Sequence, residues 1–443
     1  MTKKILLLLA IAIGLNFTAK AQSINSAKLD SLLNVLAVNN KNMGSLAISQ
    51  NGAIVYQKSI GNAAVDSPMT IPASAKTKYH IGSISKMFTS VMVFQLIEEG
   101  KLTLETTLNK FYPQVPNAAK ITIGMLLSHH SGLHNFTNDP TYMTYMLAPQ
   151  THEQMLMKIA AMKTDFEPGA KGEYSNTNFV LLSYIIEKIT NKTYPELVKQ
   201  RVTSKIGLKD TYYGGKVNTA NNEALSYTYS NNKWSKFVET DMSIPSGAGS
   251  MVSTPADLDK FIEALFAGKL VKPASLEQMK AMKDGYGMGM FLTPYNDKQS
   301  YGHGGSIDAF RAQLAYFPAE KLAVSYTSNG GSYGIDKIFK GVIDIILNKP
   351  YTLPVFKKFA LKTEELDKYL GVYSSPDFPS KITMSKNNTT LLGQAAGQDA
   401  LTLDAVAKNV FEYEPFDIHI EFDPDKGQFT LTQRGKIKVF TRE

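Results

Sequence analysis

Residues 79–88, Tyr79-His80-Ile81-Gly82-Ser83-Ile84-Ser85-Lys86-Met87-Phe88 (YHIGSISKMF), put a serine and a lysine three positions apart at the mouth of a run that is apolar almost all round. That run, SKMFTSVMVFQLIEE, has the pattern of a buried helix, and Gly100 is placed to stop it. On a helix, positions i and i+3 share a face, so Ser83 and Lys86 converge, whereas the adjacent Ser85 and Lys86 diverge. Ser83 is therefore the nucleophile candidate. A serine hydroxyl needs a base, and a lysine becomes one when burial lowers its pKa. The helix start adds N–H groups and a positive dipole end suited to an oxyanion. Spacing alone is weak support, because Ser230-Asn231-Asn232-Lys233 repeats it in a polar stretch.

Moving outward, FEPGAKGEYSNTNFVLLSYIIEKIT carries Tyr174-Ser175-Asn176 between a Pro/Gly turn and a second apolar helix. The phenol of Tyr174 can relay a proton, and the amide of Asn176 can orient a carbonyl or the lysine. The same tripeptide recurs as Tyr229-Ser230-Asn231, but SYTYSNNKWSKF alternates around Asn231-Asn232 and predicts an exposed hairpin tip. A third candidate is His303-Gly304-Gly305-Ser306 in SYGHGGSIDAF, where the glycines admit another backbone or a substrate close to a strand. His129, His130 and His134 raise the competing idea of a metallohydrolase. No carboxylate pattern accompanies them, so packing and loop hydrogen bonds are the expected roles.

The 443-residue chain is 43% hydrophobic, enough for a sizeable core and more than one domain. Residues 1–21 read as a secretory signal: Lys3 and Lys4, an apolar run from Ile5 to Leu15, then Ala19-Lys20-Ala21. No later run reaches the ~20 apolar residues that span a bilayer, so no stable membrane span is expected after signal removal. The localisation expected is secreted or periplasmic. With no cysteine, the chain has no disulfide, thiolate metal site, cysteine nucleophile or lipid-anchored cysteine, and any nucleophile is an oxygen. The net charge of +8 falls to +5 without Lys3, Lys4 and Lys20, and the basic residues are dispersed, so no nucleic-acid partner is expected.

GSLAISQNGAIVYQKSIG predicts a hairpin around Asn51-Gly52. STPADLDKFIEALFAGK predicts a helix with Thr254 as N-cap, Pro255 in its first turn and Asp257 as capping-box acid. FRAQLAYF and LAVSYTS flank the turn PAEK, and an amphipathic helix follows. Strands thus bracket helices, which predicts an α+β fold: an antiparallel sheet from both ends of the domain, flanked by helices, with a helical subdomain between. Residues 349–361 read as a linker, and residues 362–443 as a small antiparallel β barrel.

Taken in order and with their surroundings, these motifs resemble the serine β-lactamase and penicillin-binding superfamily. The likeness is to its class C-like branch of esterases, D-aminopeptidases and D-Ala-D-Ala carboxypeptidases. It runs from about Gly44 to Asn348 and includes GKLTLETTLNKFYP, ITIGMLLSHHSGL and GAGSMVSTPADLDKF. It implies a catalytic domain over residues 22–348 and a lipocalin-like barrel over 362–443. It further implies Ser83 as acylated nucleophile, Lys86 as the amine that helps deprotonate it, Tyr174 as general base and acid, and Asn176 as polar orienter. The backbone N–H groups of Ser83 and Ser306 form the oxyanion hole, and no metal or cofactor takes part. Whether Lys86 or Tyr174 is the base stays open.

Two departures bear on substrate choice. His303-Gly304-Gly305 stands where many relatives carry Lys-Thr-Gly, and a histidine near its reference pKa is only about a quarter charged at pH 7. A carboxylate-bearing substrate then loses part of its anchor, and His303 is expected as a substrate handle beside Gly304, Gly305 and Ser306. The usual HTSG is HHSG here. The expected substrates are small molecules or short peptides: esters, D-amino-acid amides or peptides, and β-lactams as slow substrates. The alternative is a D-Ala-D-Ala carboxypeptidase or a catalytically weak protein that binds cell-wall peptide.

Overall fold

The computed structural model describes residues 24–65, 70–230, 233–356, 359–433 and 435–443. The expected signal at 1–21 and the hairpin tip Asn231-Asn232 lie outside them. Helix α1 (Ser26–Val38) starts where the Asn25 side chain accepts from the Lys28 N–H, and it buries Leu29, Leu32, Leu33 and Leu36 at helical spacing. Strands β1 (Asn42–Gln50) and β2 (Ala53–Ile60) then form the expected hairpin, with Asn51 at φ +54° and Gly52 at φ +82° in its turn. Asparagine and glycine tolerate that left-handed backbone, which explains why the turn is there.

The other side of β1 is filled from the far end of the domain. Strands β3 (Phe291–Tyr295), β4 (Lys298–Ile307), β5 (Phe310–Phe317) and β6 (Leu322–Gly331) form an antiparallel meander, and β6 pairs with β1 from Gly44↔Ser328 to Gln50↔Leu322. The sheet order is β3-β4-β5-β6-β1-β2. Strands β6 and β1 are buried almost throughout because both faces are covered. Helix α1 and the amphipathic helix Ile335–Ile346 pack on one face, and the helix Pro255–Phe266 packs on the other. In that last helix Thr254 is the N-cap, as expected. Asp257 does not close a capping box: its carboxylate accepts from the Asp210 N–H and the Thr211 hydroxyl, so a tertiary contact displaces the local one.

The helical lobe is built on α2 (Ser85–Glu98) and α3 (Asn176–Thr190). Nearly every residue of α2 is buried, including the polar Thr89, whose hydroxyl donates to the Gly247 carbonyl at 2.7 Å. Tyr229 and Ser230 of the repeated tripeptide sit in a strand that pairs Tyr229 with Trp234 and Ser230 with Lys233, a hairpin arm. Beyond it, eight antiparallel strands between Gly371 and Arg442 close into a barrel around Tyr369, Tyr373, Phe411, Phe422, Phe429 and Phe440. Among the described residues no helix is long and apolar enough to cross a membrane.

Candidate active site

A 3-10 turn, Gly82–Ile84, leads straight into α2, so Ser83 sits on the turn and Lys86 in the first helical turn. The Lys86 amine lies 2.9 Å from the Ser83 hydroxyl, 2.8 Å from Asn176 Oδ1 and 2.7 Å from the Ala248 carbonyl. Lys86 is fully buried, and burial pushes its amine well below the ordinary lysine range. The two amide oxygens can only accept, so they take two hydrogens of the amine. On a neutral amine the position facing Ser83 is then a lone pair, free to receive the hydroxyl proton.

Tyr174 shares a hydrogen bond with Ser83, and its ring lies 4.9 Å from the Lys86 nitrogen. Burial raises the phenol well above its usual value, against the opposing pull of the Ser83 hydrogen bond. Lys86 down and Tyr174 up favour a neutral amine beside a neutral phenol. Asn176 is the first residue of α3; its amide nitrogen donates to the Thr137 hydroxyl at 3.3 Å, leaving its oxygen aimed at Lys86.

Strand β4 passes directly over the serine turn. A β-carbon built on Gly305 would stand 1.9 Å from the Ile81 carbonyl oxygen and 3.4 Å from the Ser83 nitrogen. Gly82, at φ +50°, faces it from below, and a side chain there would meet the Ser306 nitrogen at 2.7 Å. Only glycine allows this approach, which brings the Ser306 backbone nitrogen up against the turn that carries Ser83. Gly304 is different, since nothing approaches its β-carbon position more closely than the Gln313 side chain at 3.3 Å.

His303 departs from the partly charged handle expected from sequence. It is 5% exposed, its ring packs 4.7 Å from Phe291 and 6.3 Å from Tyr174, and burial above all brings its pKa down to about 3. Its Nδ1 bonds to the Gly304 carbonyl, an acceptor only, so Nδ1 carries the hydrogen and Nε2 presents a lone pair. Nε2 is buried without a hydrogen-bond partner among the described residues. The imidazole is thus a neutral acceptor and offers no positive charge to a carboxylate.

The other histidines have separate tasks. His129 accepts from the Ser175 N–H at 3.1 Å and stacks on Tyr174 with ring centroids 4.4 Å apart, which steadies the phenol. His130 bonds to Asp284 at 2.9 Å and His134 to Asp165 at 2.8 Å, carboxylates too distant in sequence to be seen as partners. Sequence reasoning does not reach the Ala248 carbonyl, because a backbone acceptor leaves no residue-type signal. It also passed over Asp308, Arg311, Tyr413 and Phe416, which line the same cavity of about 690 Å³ as Ser83, Tyr174 and His303.

Comparison with known proteins identifies the family. A family model described as beta-lactamase matches residues 41–337. Penicillin-binding protein 4* of Bacillus subtilis (strain 168) is 25% identical over 429 residues, covering 89% of this chain and 93% of the relative. Teichoic acid D-alanine hydrolase of Staphylococcus aureus is 26% identical over 314 residues, 70% of this chain and 76% of the relative. A crystal structure of D-amino acid amidase from Ochrobactrum anthropi SV3 superposes with a TM-score of 0.60 at 27% identity, covering 72% of this chain and 98% of that one. With the family model spanning well over half of its residues and hydrolases among its relatives, the chain belongs to the β-lactamase family and is a serine hydrolase of it.

Proposed function

We propose that the protein hydrolyses neutral esters and D-amino-acid amides or short D-peptides through an acyl-enzyme on Ser83. The observation that carries this reading is the buried Lys86 amine 2.9 Å from the Ser83 hydroxyl, with both hydrogens of the neutral amine engaged by the Asn176 and Ala248 acceptors. Ser83 Oγ attacks the substrate carbonyl while its proton passes to Lys86. The oxyanion that forms faces the N–H groups of Ser83 and Ser306. Tyr174 gives its proton to the leaving group as the C–O or C–N bond breaks, and the proton held by Lys86 restores the phenol. Water attacks the acyl-serine by the reverse route and frees the acid. Asn176 keeps Lys86 aimed at the serine throughout. No step calls for a metal or cofactor.

Substrate preference follows from the neutral His303. Without a cation at that position, carboxylate-bearing substrates such as β-lactams and D-Ala termini are disfavoured relative to neutral esters and amides. Residues 1–21 direct export, making the protein secreted or periplasmic. Cell-wall peptide is the natural short-peptide ligand at such a location.

A fluorophosphonate probe tests the acyl-serine chemistry. The expected result is one adduct, mapped to the peptide containing Ser83, with turnover of para-nitrophenyl esters and D-amino-acid anilides above that of a chromogenic cephalosporin. Labelling elsewhere would remove this reading, and muropeptide binding without turnover of any substrate would favour a binding protein. A separate check addresses His303. Because it stays neutral above a pKa of about 3, the ratio of kcat/KM for a neutral ester to that for a carboxylate-bearing ester should be flat from pH 5.5 to 8. An ordinary imidazole would titrate in that window, and a ratio that changes severalfold would show that His303 carries charge.

A further inference from the structure

The cavity that opens onto Ser83 is not built by the catalytic domain alone. Tyr413 and Phe416, both from the C-terminal barrel, line it together with His303 and Tyr333. Phe416 has no role in the barrel's own core: it is 50% exposed, and the barrel packs around other aromatics. Its ring stands 5.4 Å from that of Tyr413 in an edge-on arrangement. A large apolar side chain left half in water at the rim of a catalytic cavity is an unsatisfied surface that a ligand can cover.

The segment is also held in place from the catalytic side. Lys337, in the first turn of the helix Ile335–Ile346, bonds to Glu414 at 2.8 Å and to Asp417 at 3.2 Å. These two acids bracket Phe416 in sequence, so one lysine pins both ends of the turn that carries it. A third ion pair, Lys41 to Asp404 at 3.2 Å, ties the barrel down nearby. The Lys337 side chain is 44% exposed, and such pairs add little to stability. Their consequence is position: they set Phe416 against the cavity.

We propose that the turn from Tyr413 to Asp417 is the far wall of the substrate site and that Phe416 is a specificity-determining residue. It receives an aromatic or bulky apolar group that the substrate carries away from the scissile bond. This rests on Ser83 being the nucleophile and adds the substrate class. A cavity of about 690 Å³ is in the range that encloses a ligand of drug-like size, far more than a methyl ester or an alanine amide would fill. Aromatic contact of ring edge to ring face on Tyr413 and Phe416 would give the group a preferred orientation.

Two ester pairs test this. Para-nitrophenyl acetate against para-nitrophenyl 4-phenylbutyrate puts the phenyl group on the acyl side, and methyl acetate against 4-phenylbutyl acetate puts it on the leaving side. The wild-type protein should prefer the phenyl-bearing member of at least one pair by about tenfold in kcat/KM. Phe416→Ala should reduce that preference about fivefold, mainly through KM, and Lys337→Met about twofold to threefold. In the wild-type protein alone, added salt should weaken the preference, because screening loosens the Lys337 pairs. An unchanged preference in both variants, with Ser83 still labelled by the fluorophosphonate, would overturn the wall and leave the acyl-serine reading intact. Failure of the wild-type protein to label at Ser83 would overturn both. Phe416 is exposed and its loss should not unfold the barrel, which a melting curve on each variant verifies.

Discussion

Lys86→Met is expected to lower the rate of acyl-enzyme formation by about 10³-fold, and Lys86→Arg by as much. The methionine fills the same buried channel without a nitrogen. The arginine keeps a positive charge but cannot release its proton, so it fails as a base. The pair separates the two roles that an amine beside Ser83 can have. If positive charge were what mattered, Lys86→Arg would retain activity and the proton-transfer role would be wrong. Removing the nitrogen leaves Asn176 Oδ1 and the Ala248 carbonyl without their donor, at about 1–3 kcal/mol for each buried acceptor, offset by the burial of the amine that is no longer needed. The loss of activity should therefore exceed any change in melting temperature. The pH profile carries the same information in the wild-type protein. Burial lowers the Lys86 pKa, so the active neutral amine is present above that lowered value and kcat/KM falls as pH drops through it. The alkaline limb belongs to Tyr174, whose raised value keeps the phenol protonated to unusually high pH. Stopped-flow release of para-nitrophenol across pH measures both limbs.

Gly305→Ala is expected to reduce kcat by about 10²-fold or more, although it adds one methyl group. That methyl would stand 1.9 Å from the Ile81 carbonyl, so either β4 or the Gly82–Ile84 turn has to move. Either movement separates the backbone nitrogens of Ser83 and Ser306, and loss of one oxyanion donor typically costs about 10²–10³ in rate. Overpacking adds a stability cost of about 1–3 kcal/mol. The neighbouring Gly304→Ala meets only the end of the Gln313 side chain, which can swing aside, and its effect should be at least tenfold smaller. Comparable losses in the two variants would show that the close approach of β4 to the serine turn is not what sets the rate. Kinetics and thermal melts of the two single variants decide it.

The parts of the site that were legible beforehand are those governed by neighbours in the chain. Ser83 and Lys86 converge because helical geometry places i and i+3 on one face, and the apolar run behind them marks burial whatever the partner is. The Asn51-Gly52 hairpin, the Thr254 cap and the meander around PAEK were readable on the same grounds, since each is a backbone preference of a few adjacent residues. Asp257 shows where this stops. Its local capping role lost to Asp210 and Thr211, which the fold brings within hydrogen-bond distance.

His303 shows the same limit in the chemistry of the site. Its residue type suggested a partly charged handle, but the charge depends on what surrounds the ring. Phe291 and Tyr174 pack against the buried ring and exclude water, and the imidazole stays neutral. The Ala248 carbonyl beside Lys86 and the Phe416 ring at the cavity rim could be placed only by folding, because both lie more than a hundred residues from the serine they serve. Local spacing therefore put Ser83 and Lys86 on one face and set the elements that carry them, since those depend on dihedral preference and periodicity. Protonation state, close backbone approach and the far wall of the cleft belonged to the tertiary structure, because burial and electrostatic field are properties of everything packed around a group.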